Sequence, residues 1–289
     1  MKILVTGASG FTGQNFVKHA SMIGHKVFLI ETDILDKSAL MVSINKLEFD
    51  AVIHLAALSY VDHEDKSAFY SVNVLGTMNL LEAIELSDNR RLKSIVLVSS
   101  AHVYGNTSVS PIDERHDLSP NNHYAASKLA MEFICKTYLD RLPILFVRPF
   151  NYTGPGQSLN FVIPKIVDHF ARREKTIDLG NISVEREYND IRFVCDSYLA
   201  LLEYGKLGGT YNLCTGYTYA LRQIIDTLTL ITDHHLDVRV CNKLIRANDI
   251  KRLCGNPNKL TEILSKAGFS MQKYRLEDTL RYMLREYSL

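Results

Sequence analysis

A tyrosine and a lysine lie four residues apart in the sequence, at Tyr124 and Lys128. Residues i and i+4 of a helix share one face, so on a helix both side chains can point at one substrate atom. A phenol is a poor proton donor or acceptor near neutral pH, but a neighbouring ammonium favours the phenolate and lowers the pKa of the phenol. The spacing therefore indicates proton transfer at neutral pH.

A glycine-rich turn, with Gly7, Gly10 and Gly13, separates the first apolar run from a segment of helical period. Glycines let the backbone approach a dinucleotide pyrophosphate, and the N-terminus of the following helix favours its negative charge. The Gly-x-x-Gly-x-x-Gly spacing also fits an ordinary connection between a strand and a helix. With Val98-Ser99-Ser100 and the tyrosine–lysine pair following in this order, the turn predicts an oxidoreductase with a nicotinamide cofactor.

An acidic residue, Glu31, ends the second predicted strand. A carboxylate about twenty residues past such a turn can accept hydrogen bonds from the adenosine ribose, and it repels a 2′-phosphate. No arginine follows between Glu31 and Asp50. The segment thus favours NAD over NADP, although Asp33 and Ile34 could instead be the pair that contacts the adenine.

The composition limits the possible partners. The 289-residue chain has a formal net charge of +1, which offers no basic field for nucleic acid and no polybasic anchor for a membrane. Its first residues read as a strand and not as a signal peptide. The five cysteines form no Cys-x-x-Cys pair, so we expect reduced thiols in a cytoplasmic enzyme without a metal or disulfide site.

Buried β-type runs alternate with amphipathic segments through the first half of the chain. This alternation predicts an α/β fold with a Rossmann-type, doubly wound parallel sheet and ligands at the carboxyl ends of its strands. The predicted strands are Ile3–Thr6, Val27–Ile30, Ala51–Leu55, Ile95–Val98 and Ile144–Val147. The predicted helices are Gln14–Met22, Ser38–Leu47, Phe69–Leu86 and Tyr124–Leu139.

The regular alternation of predicted strands and helices ends after Asn151. The second half is predicted to contain less sheet, with short strands. We expect a dinucleotide-binding domain at residues 1–150, with a return segment near 188–212, and a smaller α+β substrate lobe at residues 151–289. In that half the predicted helices are Phe161–Arg173, Ser197–Leu202, Leu221–Ile231 and Pro257–Leu264, and the predicted strands are Thr176–Leu179 and Thr210–Leu213.

Over nearly its whole length the chain resembles the extended short-chain dehydrogenases/reductases, the NAD-dependent epimerase/dehydratase family. The matching segments are Gly7–Gly13, His54–Ala57, Asn73–Thr77, Ser99–Gly105, Tyr124–Lys128 and Arg148–Asn151. The resemblance implies a catalytic triad in which Ser100 hydrogen-bonds the substrate oxygen, Tyr124 transfers the proton, and Lys128 lowers the tyrosine pKa and holds the nicotinamide ribose. The cofactor-binding residues that it implies are Gly7, Gly10, Phe11, Thr12, Gly13, Leu55, Ala56, Ala57, Tyr124 and Lys128.

The second half is similar to the GDP-4-keto-6-deoxy-mannose reductases. The similar segments are Arg148–Gln157, Phe161–Pro164 and Tyr211–Gly216, with a basic stretch at Arg246 and Arg252. This resemblance implies that Asn151, Arg186 and Arg246 contact the nucleotide-sugar diphosphate and ribose, with Asn181 a further candidate. Phe193 departs from the family pattern by replacing a charged residue.

Position 102 separates the possible reactions. Related dehydratases carry an acid, commonly glutamate, where this chain has His102. Elimination of water needs that acid, so the sequence disfavours dehydration and leaves a 4-ketoreductase of a nucleotide-activated 4-keto-6-deoxyhexose or a 4-epimerase that retains NAD. His102 itself is either a substrate contact or a strand-end residue.

Two further expectations follow from the resemblance. The first is a homodimer, because the family pairs the helices near Phe69–Leu86 and Tyr124–Leu139 across a two-fold axis. The second is a product destined for surface polysaccharide. A non-catalytic NAD(P)-sensing regulator on the same fold is a distant alternative, which the presence of both Tyr124 and Lys128 disfavours.

Overall fold

The computed structural model of the protein describes residues 1–61, 63–87, 89–245, 251–266 and 274–287. Its centre is a six-stranded parallel sheet, in which the strands follow the order β2-β1-β3-β4-β5-β10. These strands, numbered along the chain, are β1 (Lys2–Thr6), β2 (Lys26–Ile30), β3 (Ala51–His54), β4 (Ser94–Val98), β5 (Ile144–Pro149) and β10 (Thr210–Leu213). All five strands predicted in the first half are confirmed, to within two residues at either end.

Helices cover both faces of the sheet, because alternate strand residues point to opposite sides. Ile3 and Val5 pack against one helical layer, and Leu4 packs against the other. The first layer contains α1 (Phe11–Met22) and α7 (Ile191–Tyr204). The second contains α2 (Lys37–Ile44), α4 (Thr77–Glu85) and α5 (His123–Cys135). The predicted Rossmann-type, doubly wound fold is confirmed.

The segment predicted as one helix over Phe69–Leu86 is interrupted. A short helix, α3 (Ser67–Tyr70), leads into a π-helical turn at Ser71–Gly76 before α4 begins. Such wide turns occur where a helix has to place a particular group, and this one contains the buried side chain of Asn73. Gly76 closes the turn against Ile34, where an added Cβ would lie 2.6 Å from a methyl carbon.

The second half adds small sheets and a separate core. The remaining strands are β6 (Tyr152–Thr153), β7 (Thr176–Leu179), β8 (Glu185–Arg186), β9 (Asn189–Asp190), β11 (Tyr219–Ala220), β12 (Asp237–Val240) and β13 (Arg252–Leu253). The remaining helices are α6 (Val162–Ala171), α8 (Leu221–Thr232), α9 (Asn258–Lys266) and α10 (Leu276–Leu284). Apolar side chains of α6, α8 and α10 form a core of their own.

Several elements of this half differ from prediction. The short strands β6, β8, β9, β11, β12 and β13 were not predicted. Helix α7 starts at Ile191 and not at Ser197, because the Asp190 carboxylate accepts a hydrogen bond from the Arg192 N–H at 2.8 Å and caps the earlier turn. Helix α10 was not predicted. The domain boundary at residue 150 stays a prediction, although α7 and β10 do pack with the first half. Over the described ranges, no helix combines the length and the apolar character needed to cross a bilayer.

Candidate active site

Two glycines of the turn after β1, Gly7 and Gly13, have no space for a side chain. Gly7 has a φ of 69°, and a Cβ there would lie 2.4 Å from the Ala56 nitrogen. A Cβ on Gly13 would lie 2.1 Å from the Gly7 carbonyl oxygen. Gly10 begins α1 without a side-chain cap, and the first turn of α1 contains no acidic residue. The first N–H groups of this helix can therefore receive an anion, and the turn fits a dinucleotide pyrophosphate.

The other predicted cofactor residues follow the ends of neighbouring strands. Leu55, Ala56 and Ala57 come directly after β3, and the Ala56 N–H donates to the Thr6 hydroxyl at 3.3 Å. This bond holds the segment against the glycine turn, so the structure brings the two groups of predicted residues together.

Past β2, the three candidates for the adenosine end differ in exposure. Glu31 is exposed directly after the strand. Asp33 uses its carboxylate locally, accepting the Leu35 N–H at 2.9 Å. Ile34 is buried against Gly76. Of the two carboxylates, that of Asp33 takes part in a local turn, whereas that of Glu31 is exposed at the strand end.

The three predicted catalytic residues lie together at the carboxyl end of β4. Asn122 caps α5 by accepting the Ala125 N–H at 2.9 Å, which places Tyr124 in the first helical turn. The Ser100 side chain lies close enough to the Tyr124 hydroxyl to favour the phenolate. Lys128, one turn further along α5, donates to the Val98 carbonyl oxygen at 2.7 Å. The predicted triad is thus a structural cluster, with a phenol, a hydroxyl and a buried amine.

Burial sets the proton affinities in this cluster. It raises the pKa of Tyr124, an effect that the Ser100 side chain opposes. It lowers the pKa of Lys128 to about 8, and nearby Cys135 and Glu132 oppose this lowering. The effect of Lys128 on the pKa of Tyr124 stays a prediction, because the hydrogen bond from Lys128 goes to Val98.

His102 lies beside the phenol. Its ring meets that of Tyr124 edge to face with centroids 6.0 Å apart, and the Phe69 ring approaches Tyr124 at 6.2 Å. The backbone N–H of His102 also donates to Ser100 Oγ at 3.2 Å, which caps the turn that follows β4. The structure thus places the His102 ring beside the group that would transfer the proton, and its role as a substrate contact stays a prediction.

The sequence analysis missed the role of Asn73, which supports the site from the π-helical turn. Its side chain accepts the Leu58 N–H at 2.9 Å and donates to the Leu58 carbonyl at 3.1 Å. It also donates to the Ser127 hydroxyl at 2.9 Å, which in turn donates to the Tyr124 carbonyl at 2.8 Å. Asn73 thereby joins the loop after β3 to α5. The sequence signal for it was the segment Asn73–Thr77, which the resemblance included without assigning a role to the amide.

Tyr152 is a second residue without a predicted role. Its hydroxyl is 2.8 Å from the Thr12 hydroxyl, and its ring stacks on Phe11 with centroids 6.1 Å apart. Burial raises the pKa of Tyr152 to about 12, so the phenol stays protonated. Strand β6 thus reaches back to the glycine turn, next to the substrate candidate Asn151.

The predicted substrate residues are distributed over the second half. Asn151 precedes β6, and its carbonyl accepts the Asn189 N–H at 2.9 Å. The Asn181 side chain accepts the Ser183 N–H at 3.0 Å in a local turn. Arg186 lies in β8, where one of its guanidinium nitrogens donates to the Glu185 carbonyl at 2.9 Å. Arg246 lies outside the described residues.

A buried carboxylate, Glu187, fastens the segments around Arg186. It accepts the Gly255 N–H at 2.7 Å, the Thr215 N–H at 2.8 Å and the Asn189 amide at 3.1 Å. Burial raises the pKa of Glu187, and these donors oppose the effect. Strand β8, the loop after β10 and the chain after β13 therefore meet at one side chain, which the sequence analysis did not single out.

A Rossmann-type sheet with a serine, a tyrosine and a lysine at the end of β4 defines an extended short-chain dehydrogenase/reductase, as the sequence analysis predicted. The chain belongs to the GDP-mannose 4,6-dehydratase family, whose model matches residues 17–283.

The chain is similar to curated enzymes over most or all of its length. It is 34% identical to GDP-6-deoxy-D-talose 4-dehydrogenase of Aggregatibacter actinomycetemcomitans, with 100% of each chain covered. It is 32% identical to GDP-6-deoxy-D-mannose reductase of Pseudomonas aeruginosa, with 90% of this chain and 89% of that one covered.

Solved structures are similar as well. RMD from Pseudomonas aeruginosa complexed with NADPH has a TM-score of 0.90 and 30% identity, covering 99% of this chain and 98% of that one. The UDP-glucose 4-epimerase of Thermus thermophilus in complex with NAD has a TM-score of 0.86 at 23% identity, covering 100% of this chain and 99% of that one. At that lower identity the likeness concerns the fold alone.

Proposed function

We propose that the protein is an NAD(P)H-dependent 4-ketoreductase of a nucleotide-activated 4-keto-6-deoxyhexose, with GDP as the nucleotide. The observation that carries the proposal is the cluster of Ser100, Tyr124 and Lys128 at the strand ends beside the glycine turn. Two relatives that span about nine-tenths or more of the chain are oxidoreductases of GDP-6-deoxyhexoses by name, which supports the choice of sugar and nucleotide.

The proposed chemistry assigns one task to each residue. The nicotinamide, when bound, supplies the hydride for the sugar C4 carbonyl. Tyr124 gives its phenolic proton to the C4 oxygen, and Ser100 donates a hydrogen bond to the charge that develops there. Lys128 as an ammonium stabilises the phenolate that remains on Tyr124. Asn73 positions α5, and so Tyr124, through Ser127.

His102 supports reduction over dehydration. It stands where the dehydratases carry a carboxylic acid, and its ring packs edge to face with that of Tyr124. An imidazole in that place can hydrogen-bond a substrate hydroxyl. The same arrangement also suits a 4-epimerase with tightly bound NAD, the second reaction that the sequence left open. The non-catalytic regulator is the weakest of the alternatives, because the whole proton-transfer cluster is assembled.

The cofactor is proposed to be NADH at least as readily as NADPH. Glu31 is exposed at the end of β2, where a carboxylate would repel a 2′-phosphate. The similar Pseudomonas structure is a complex with NADPH, so a measurement on this chain has to decide between the two.

We further propose a cytoplasmic homodimer that serves surface polysaccharide synthesis. Large apolar side chains are exposed on the π-helical turn and on α5, among them Leu75 and Phe133. Exposed apolar side chains on neighbouring helices of one layer suit an isologous contact between two copies.

Incubation of the purified protein with GDP-4-keto-6-deoxymannose and NADH or NADPH tests the reaction. A reductase consumes the reduced cofactor stoichiometrically with sugar, and the product is a GDP-6-deoxyhexose. A 4-epimerase would instead interconvert GDP-hexoses without added cofactor. Oxidation of the cofactor without formation of a reduced sugar would reject the proposal. The absence of any reaction of GDP-4-keto-6-deoxymannose with either cofactor would also reject it.

A further inference from the structure

A buried ion pair joins α5, the helix that carries Tyr124 and Lys128, to β5. The Glu132 carboxylate accepts two hydrogen bonds from the Arg148 guanidinium, at 2.9 Å from Nε and 2.6 Å from Nη2. Both side chains are almost completely excluded from solvent, at 0% and 4% exposure. Glu132 follows Lys128 by four residues on α5, so the two side chains are neighbours on one face of the helix.

Arg148 is fixed by further partners on the sheet side. Its Nη1 donates to the Tyr104 hydroxyl at 3.0 Å, and that hydroxyl donates to the Asn212 amide oxygen at 2.7 Å. Its guanidinium carbon lies 5.0 Å from the centre of the Tyr104 ring. The Arg148 side chain thus extends from β5 and is held in place by Tyr104. Its guanidinium in turn binds the Glu132 carboxylate.

Lys128 has an environment that opposes its charge. It is buried, and the hydrogen bond that it donates goes to a neutral carbonyl on β4. Burial lowers its pKa to about 8, close enough to neutral pH for a modest field to decide its charge. The titratable groups that face it are therefore the important ones.

Those groups come from β3 and from α5 itself. On β3, burial and the charge of Lys128 lower the pKa of His54 to about 3, so this imidazole is neutral. On α5, burial raises the pKa of the Cys135 thiol to about 12 and also raises the pKa of Tyr124, so both stay protonated. The group in this set that pairs with a cation is Glu132, whose carboxylate binds the Arg148 guanidinium.

We propose that Glu132 is a positioning residue of the active site whose carboxylate, held by Arg148, keeps the Lys128 side chain in its ammonium form. The inference deepens the proposed function, because it concerns the residue that would stabilise the Tyr124 phenolate. The alternative is that the pair only ties α5 to the sheet. A buried ion pair is by itself weak evidence for a contribution to stability. The two roles of Glu132 are therefore separated by a test that distinguishes the effect of its charge from that of its packing.

The test is a titration of Lys128 that does not depend on activity. Protein labelled with ¹³C-lysine is followed by NMR from acid to alkaline pH, and the Lys128 signal is assigned by its loss in Lys128→Met. In Glu132→Gln we expect the titration midpoint to fall by about one pH unit or more, because an opposite charge is lost. Glu132→Asp keeps the charge and should restore at least half of the difference.

Two controls cover folding. Removing one partner of a buried pair can unfold a protein, so Glu132→Gln/Arg148→Gln removes both charges and leaves no unpaired guanidinium. Its midpoint should fall by less than that of Glu132→Gln, because a positive charge is lost as well. Arg148→Lys keeps the counter-charge and should leave the midpoint near that of the wild type. An unchanged Lys128 midpoint in both folded variants that lack the Glu132 carboxylate, or equal midpoints in Glu132→Gln and Glu132→Asp, would overturn the proposal.

Kinetics then distinguish this inference from the proposed function on which it rests. If Lys128 must be charged for reduction, the alkaline limb of the pH profile of kcat/KM moves to lower pH in Glu132→Gln by the same amount as the NMR midpoint. A moved midpoint with an unmoved alkaline limb would sustain the role of Glu132 and reject the proposed task of Lys128 in the reaction.

Discussion

The Nζ atom of Lys128 and the carbonyl oxygen of Val98 are joined by a 2.7 Å hydrogen bond. Val98 is the last residue of β4, and Ser100 follows two positions later. The bond thus aligns the face of α5 that carries Tyr124 with the strand end that carries Ser100. This contact between a helix and a strand is one of those that hold Tyr124 beside Ser100, together with the Asn73–Ser127 hydrogen bond.

The phenol of Tyr124 should be essential for turnover. Tyr124→Phe removes only the hydroxyl, so we expect activity to fall by about a hundredfold or more, while cofactor affinity stays near that of the wild type. Steady-state kinetics and calorimetric titration with NADH and NADPH measure the two quantities. Tyr204→Phe, at the exposed end of α7, is the matched control. Retention of most of the activity in Tyr124→Phe would show that another group is the acid.

Glu31 should govern the choice between the two cofactors. We expect NADH to bind at least as tightly as NADPH, because the Glu31 carboxylate repels a 2′-phosphate. Glu31→Gln should then improve NADPH binding and change NADH binding little. Asp33→Asn is the control, since the Asp33 carboxylate accepts the Leu35 N–H in a local turn. A strong preference of the wild type for NADPH in calorimetry would contradict this assignment.

Arg186 should contribute to substrate binding more than to chemistry. A charge-assisted hydrogen bond to phosphate contributes roughly 1.5–3 kcal/mol, so Arg186→Ala should raise the KM for the GDP-sugar about tenfold or more. The change in kcat should be smaller, because the phosphates keep their charge through the reaction. Arg281→Ala, on the exposed side of α10, is the control.

The same result is expected for Arg246→Ala, at a position outside the described residues. If KM is unchanged in both variants, neither arginine contacts the diphosphate. The assignment of the second half to a nucleotide sugar would then lose its main support.

The exposed apolar side chains of α5 and the π-helical turn should lie in a dimer interface. We expect light scattering to give a dimer for the wild type at micromolar concentration. Phe133→Glu places a charge on this surface and should give a monomer, because burying an unpaired charge is costly. Leu230→Glu, on the exposed face of α8, should remain a dimer. A monomeric wild type would reject the proposal.

His54 should make the folded state sensitive to acid. Its ring is buried between the Thr6 and Thr77 hydroxyls, at 2.7 Å and 2.9 Å, and its pKa is lowered from 6.5 to about 3. Between these values the unfolded chain binds a proton that the folded protein does not. The contribution of His54 to stability is therefore complete above pH 6.5 and is lost as pH falls, by at most about 1.4 kcal/mol per pH unit.

Denaturant unfolding at pH 7.5 and at pH about 5 checks the sign. The free energy of unfolding of His54→Gln should change less between these pH values than that of the wild type. His235→Gln, which alters an exposed imidazole, should behave as the wild type does. Equal pH dependence in His54→Gln and the wild type would mean that folding does not lower the pKa of the His54 ring.

Much of the architecture is determined by local sequence. Strands such as Ile95–Val98 are continuous apolar runs, and such runs between amphipathic segments have few alternatives to the interior of a parallel sheet. Gly7 and Gly13 can be interpreted in the same way, because no other residue fits where two backbone segments meet. Since parallel strands end at one edge of the sheet, the sequence also determined that Ser100 and the glycine turn would lie at the same edge.

Only the tertiary structure decided the partners of the buried polar groups. A buried polar side chain needs a hydrogen-bond partner, but its own sequence does not say which one. Asn73 is hydrogen-bonded to Ser127, 54 positions away, and Tyr152 is hydrogen-bonded to Thr12, 140 positions away. The π-helical turn follows from the same requirement, since Asn73 lies within it and helix propensity does not specify where that side chain must point. Arg148 and Glu132 belong to this group too, because a strand and a helix had to pack before the carboxylate beside Lys128 had its counter-charge.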